Sequence, residues 1–376
     1  MKKIIILYVL YLFVILNTNA YKLNETFNND QKVYVLKEIK LIYPTFSFDY
    51  LVAGSDQGTL KIWNLNDRKL KYTFDKTNGG HSSLIKSLVK IGNGYLASGS
   101  DDDSIKIWDL KEGKLINTFD KNNGGHNGTV WTLASIDYDY LASGSWDKTI
   151  KIWDVKSGVL KHTFNESSEV LSLAHLENGY LASGSDRLAI WDIQTNRLKH
   201  VFDNSNGGHS NGFLELISLS NGFLASGSAS GEIKIWDIIS LKLKFTFDSS
   251  NGGHTGSIFS FAELGNDYLA SGSLDKSIKI WDLNNGKLKF TFDKTNGGHS
   301  DFITSLAELE TGDLASTSQD NKVKIWNIRD GKLKYTFDES NGGHSKWVYP
   351  LVSLDSGNLA SGSGDGTIKI WDVNQN

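Results

Sequence analysis

The chain has 376 residues with 39 basic and 43 acidic side chains, a net charge of −4 and no polybasic run, so it cannot neutralise a row of phosphates and no nucleic-acid partner is expected. Its 11 tryptophans, 14 tyrosines and 18 phenylalanines supply a large core and exclude a disordered chain. The absence of cysteine excludes disulfides, zinc thiolates and a thiol nucleophile.

Lys2 and Lys3 precede an unbroken apolar run from Ile4 to Leu16, followed by the polar Asn17-Thr18-Asn19-Ala20. Residues 1–20 read as a signal peptide removed after Ala20. The alternative is an uncleaved signal anchor, but as a helix the apolar run would span about 20 Å, short of the roughly 30 Å of a bilayer core. The expected location is therefore outside the cell or in the secretory-pathway lumen, with no membrane association once the leader is removed. Three glycosylation triplets accompany it, at Asn24, Asn127 and Asn165.

From Tyr21 onward a repeat takes over. The pattern Ile-x-Ile-Trp-Asp, or a close variant, places Trp63, Trp108, Trp153, Trp191, Trp236, Trp281, Trp326 and Trp371 at intervals of 45 residues, with one interval of 38 before Trp191. Within each unit apolar residues alternate, as in Ile150-Lys151-Ile152-Trp153 and Leu288-Lys289-Phe290-Thr291-Phe292. Period two means strands. Asn93-Gly94, Asn178-Gly179 and Asn221-Gly222 fall between two strands, and Asn285-Gly286 and Asp330-Gly331 follow tryptophan strands. Such dipeptides supply tight turns, so each unit reads as a four-stranded antiparallel meander. The last unit stops just after Trp371 without an outer strand, and Lys22-Leu23-Asn24-Glu25-Thr26-Phe27 matches Lys287-Leu288-Lys289-Phe290-Thr291-Phe292. The start of the repeat region is expected to complete the final unit.

The recurring elements Gly-His, Leu-Ala-Ser-Gly-Ser and Asp-x-Thr-Ile-Lys-Ile-Trp-Asp closely resemble the WD40 repeat, and the resemblance runs from Tyr21 to the end of the chain, so 21–376 is read as one domain. It implies an all-β, eight-bladed β-propeller around a central channel, closed by the N-terminal strand. It also implies a buried hydrogen-bond chain of His, Ser or Thr, Asp and Trp in each regular blade. Here those residues are His81, Asp102 and Trp108; His126, Asp147 and Trp153; His254, Asp275 and Trp281; His299, Asp320 and Trp326; and His344, Asp365 and Trp371.

Repetition of Ser, His and Asp around a ring does not make one preorganised catalytic centre, so no catalytic residue is singled out. Metal ligands must lie within about 2.0–2.2 Å of one ion, which histidines of different blades cannot satisfy. The loop Asp75-Lys76-Thr77-Asn78-Gly79-Gly80 lacks the ligand pattern of a calcium hand. No metal or cofactor is expected. Three blades depart from the pattern. Blade one lacks Gly-His and has Gln57 at the aspartate position, blade four has Glu166 in the histidine's slot, and blade five keeps His209 with Ser230 for the aspartate. These blades are expected to be less firmly tied.

In WD40 proteins ligands usually meet the narrower face, through residues three and five places after the histidine and one place before the aspartate. Those positions include Lys86, Trp131, Trp146, Phe259, Phe302, Trp347 and Tyr349. Trp131, Trp146 and Trp347 lie outside the structural eight and have the makeup of interface hot spots. The four arginines, Arg68, Arg187, Arg197 and Arg329, do not form the cluster a phosphopeptide reader needs. The resemblance and these residues imply a monomeric, non-catalytic scaffold for a protein or peptide. A secreted glycan or small-molecule binder is the alternative, and a propeller hydrolase the least supported reading.

Overall fold

The computed structural model describes residues 21–42, 47–92, 94–137, 139–212 and 215–373. The expected leader, 1–20, lies outside them.

The described residues form eight four-stranded antiparallel sheets. Blade two shows the plan. Ile85–Ile91, Tyr95–Ser100, Ile105–Asp109 and Lys114–Phe119 follow one another in space as in sequence. The innermost strands touch in turn around the ring, and Val348–Ser353 of blade eight meets Val33–Ile42 of blade one, so the circle closes. Closure uses the predicted strand. Lys22–Asn28 joins the sheet of Thr367–Asp372, with Leu23 opposite Trp371 and Phe27 opposite Ile368.

Between blades the core is aromatic. The phenylalanine near the end of each outer strand lies against the tryptophan of the next blade, as in Phe119 on Trp153 with ring centroids 4.3 Å apart and Phe247 on Trp281 at 4.3 Å. Phe27, carried on the closing strand, makes the eighth such contact, 5.5 Å from Trp63. The same seven-residue strand therefore completes one blade and packs onto the next. Such ring pairs add about 0.5–1.5 kcal/mol each beyond the area they bury.

The glycine of Leu-Ala-Ser-Gly-Ser, replaced by Thr317 in blade seven, has a packing reason where it occurs. A Cβ on Gly144 would stand 2.5 Å from the Val170 side chain of the next blade, so only hydrogen fits at that position.

Candidate functional site

The predicted polar chains are present, and they are buried. In blade two Trp108 Nε1 donates to Ser98 Oγ at 2.9 Å, His81 Nε2 meets the same hydroxyl at 2.7 Å, and His81 Nδ1 meets Asp102 at 3.0 Å. The indole can only donate and the carboxylate can only accept. The serine hydroxyl therefore donates to Nε2 of a neutral imidazole, whose Nδ1–H points at Asp102. Blades three, six, seven and eight repeat the chain through His126, His254, His299 and His344. Burial depresses each of these histidines below its ordinary value and outweighs the pull of the aspartate. Burial opposes the charge on Asp102, Asp147, Asp275 and Asp365, yet bonds from the histidine, the neighbouring hydroxyl and a backbone N–H hold each carboxyl low. These serines, histidines and aspartates are spent on hydrogen bonds inside the blades.

The irregular blades correct one expectation. Blade five is tied as well as its neighbours: Glu232, two places past Ser230, accepts from His209 Nδ1 at 2.8 Å, and His209 meets Ser226, which accepts from Trp236 at 2.8 Å. Blade four is also tied. Glu166 receives the Ser183 hydroxyl, Trp191 donates to that hydroxyl at 2.8 Å, and Arg187 pairs with Glu166 at 3.2 Å. Blade one alone fits the expectation, because Ala53 occupies the register of Ser98 and offers Trp63 no side-chain acceptor. In the same blade Asn29 is buried with its side-chain oxygen unpaired, although its backbone carbonyl accepts from Lys61 Nζ at 3.0 Å.

The loop at Asp75 and its copies is a self-capped turn. Asp120, for example, accepts from Asn122 N at 2.8 Å while the Asn123 side chain bonds back to Asp120 N at 2.9 Å.

The residues singled out for binding share one rim because of a repeated backbone bond. The residue before each aspartate donates to the carbonyl three places after the histidine: Asp101 to Leu84 at 2.9 Å, Trp146 to Thr129 at 3.0 Å, Gln319 to Phe302 at 3.1 Å and Gly364 to Trp347 at 3.0 Å. Gly364 also makes room, since a Cβ there would lie 2.3 Å from the Trp347 ring. Two aromatic groups result. Trp131 and Trp146 stack at 5.4 Å and 15°, and Lys86 Nζ sits 4.3 Å over Trp131 while pairing with Asp101 at 3.6 Å. On blades eight and one, Trp347 lies 5.2 Å from Tyr34 and 6.1 Å from Tyr349. Trp146 is 48% exposed, a large apolar area left facing water. Phe302 stands apart, half-buried under Lys276.

Inside the rim the innermost strands enclose a cavity of about 460 Å³, lined by Tyr34, Lys86, Trp131, Glu215, Phe259, Thr304 and Tyr349 among others. Five of these seven are residues counted five places after a histidine. Tyr34 and Glu215 were missed. Blade one has no histidine to count from, and Glu215 stands one place further along its strand. Protein surrounds the Glu215 carboxyl while the channel leaves it some contact with solvent, and this withdrawal from bulk water pushes its pKa up to about 8. Burial also raises Tyr349, with the charge of Glu215 adding to the effect. A smaller cavity of about 250 Å³ lies between blades four and five at the opposite ends of the strands, beside the exposed Ile239. Asn24, Asn127 and Asn165 are all exposed.

A closed ring of four-stranded blades tied by tryptophan-centred polar chains defines an eight-bladed β-propeller. Six segments, 69–109, 113–154, 199–237, 242–282, 286–327 and 331–372, match the family described as WD domain, G-beta repeat, and the chain belongs to this WD40 family. Among solved structures, the crystal structure of the computationally designed Ika8 protein superimposes with a TM-score of 0.76 at 25% identity, covering 94% of this chain and all of that one. No curated protein sequence matches the chain. WD40 propellers typically act as non-catalytic scaffolds, and the fold suggests a protein-interaction scaffold.

Proposed function

We propose that the protein binds a protein or peptide through the channel rim, using Trp131, Trp146, Trp347 and Tyr349 as anchors, and acts as a monomer without catalysis. The observation that carries this reading is the stack of exposed Trp146 on half-buried Trp131 beside an open cavity. Large rigid aromatics dominate interface energies, each contributing about 2 kcal/mol or more at a hot spot. The framework histidines and aspartates are consumed by the fold, which leaves the rim as the part of the repeat that varies between blades. Export belongs to the same reading, supported by the charged and apolar pattern of residues 1–20 and by three glycosylation triplets whose asparagines are exposed.

The test is crosslinking with mass spectrometry in the native secretion, followed by titration of the purified partner against parent protein and a Trp131→Ala, Trp146→Ala, Trp347→Ala variant. The expected loss is at least a hundredfold in affinity with the melting temperature little changed. A partner held equally well by the triple variant overturns the assignment of the rim, and a glycan-array signal lost in that variant in the absence of any protein partner replaces it with the glycan reading.

A further inference from the structure

The central cavity contains a carboxyl group that the fold does not use. At the register of Glu215, opposite Gly227, other blades place small hydroxyl residues: Ser87, Thr132, Ser172, Ser260 and Ser305. A glutamate in this layer does nothing for the repeat, since five blades pack without one. No lysine or arginine pairs with it among the described residues. Lys86, the basic residue in the same cavity, is held at the rim by Asp101 and by the face of Trp131. A carboxylate withdrawn from water is costly unless a cation meets it, and the surrounding ring faces attract cations as well.

We propose that the cavity receives one basic side chain, lysine or arginine, from a segment of the partner protein, with Glu215 as counter-ion and Trp131, Phe259 and Tyr349 packed along its stem. The inference rests on the rim being the binding face and names what that face selects. A cavity of about 460 Å³ falls within the usual range for a binding pocket, roughly 300–1,000 Å³, and accepts a long unbranched stem. The lone carboxylate disfavours an acidic or phosphorylated side chain at the same place.

The experiment uses the whole protein with four probes: N-acetyl-arginine methylamide, N-acetyl-lysine methylamide, the uncharged N-acetyl-norleucine methylamide, and tetramethylammonium. Binding is read from the indole N–H resonance of Trp131, assigned by its loss in Trp131→Phe. One or both of the basic probes are expected to bind saturably, at least tenfold tighter than norleucine and tighter than tetramethylammonium. Glu215→Gln should weaken them at least tenfold while raising the melting temperature, because an uncompensated carboxyl is removed. Glu215→Asp should keep part of the affinity, and Lys86→Gln should tighten binding. Equal binding of norleucine, preference for tetramethylammonium, unchanged affinity in Glu215→Gln, or no saturable binding of either basic probe overturns the inference. A partner whose binding falls in the triple tryptophan variant but not in Glu215→Gln sinks this inference and leaves the proposed function standing.

Discussion

Blades two, three, six, seven and eight are near copies, each with a His, Ser, Asp and Trp chain, whereas blades one, four and five each break that chain and still occupy full places in the ring. All eight keep the tryptophan, the four-stranded meander and the phenylalanine stacked from the preceding outer strand. The polar chain is rebuilt with Glu166 in blade four, rebuilt with Glu232 in blade five and dispensed with in blade one. Apolar stacking between blades is therefore the requirement for closure, and the polar chain is a local reinforcement that tolerates other residues. The segments matched by the family skip blades one and four, the two without Gly-His, although both fold as blades.

The largest effect should come from the strand that closes the ring, which serves a regular blade and an irregular one. Deleting residues 22–27 strips an outer strand from regular blade eight and the Phe27 contact from irregular blade one. Loss of the phenylalanine alone costs about 3–5 kcal/mol, and an unpaired strand edge adds exposure. Urea unfolding should show a loss above that range or no cooperative transition. An unaltered midpoint would mean the ring does not depend on its clasp.

Next come the tryptophans. Trp281→Ala removes about 3–5 kcal/mol of packing and leaves Ser271 and His254 with an incomplete chain, a further cost of about 1–3 kcal/mol. Trp63→Ala in blade one loses the packing alone. Unfolding midpoints should separate the two variants in that order, and equal losses would deny the polar chain any share in stability. Smaller again is Glu232→Ala, which strands His209 Nδ1 and should cost about 1–3 kcal/mol. Restoring the common pattern with Ser230→Asp and Glu232→Thr should recover most of it.

The ring was legible in the sequence because its causes are local and repeated: alternation, turn dipeptides, tryptophan spacing, and the match between Lys22–Phe27 and Lys287–Phe292. The rim was legible for the same reason wherever a histidine gave an origin for counting, which brought out Lys86, Trp131, Phe259 and Tyr349. Tyr34 was hidden because blade one lacks that origin. Glu215 was hidden because facing the channel depends on how the inner strands converge across blades far apart in the chain. Glu232 was missed for a subtler reason. It replaces the aspartate from two positions away with a longer side chain, so position-by-position matching saw only Ser230.

The last contrast is in acid. His81, His126, His209, His254, His299 and His344 are all held below the ordinary 6.5 by burial, so the unfolded chain takes up protons first. Their contribution is complete above pH 6.5 and is lost as the pH falls below it. The aspartates hold out longer, their share declining only below the ordinary 3.8. Glu215 runs the other way. Its carboxyl is raised to about 8, so it favours the fold in acid and loses that contribution as the pH climbs from about 4.5 to 8. The melting temperature should therefore decline from pH 6.5 downward, steepen below pH 4, and gain an alkaline slope that Glu215→Gln removes. Replacing His254 by Gln should flatten only a fraction of the acid limb, since the other five histidines held low by burial remain. A melting temperature constant between pH 7 and 5 would show that the imidazoles are not held neutral, and with that the hydrogen-bond direction assigned to every regular blade would fail.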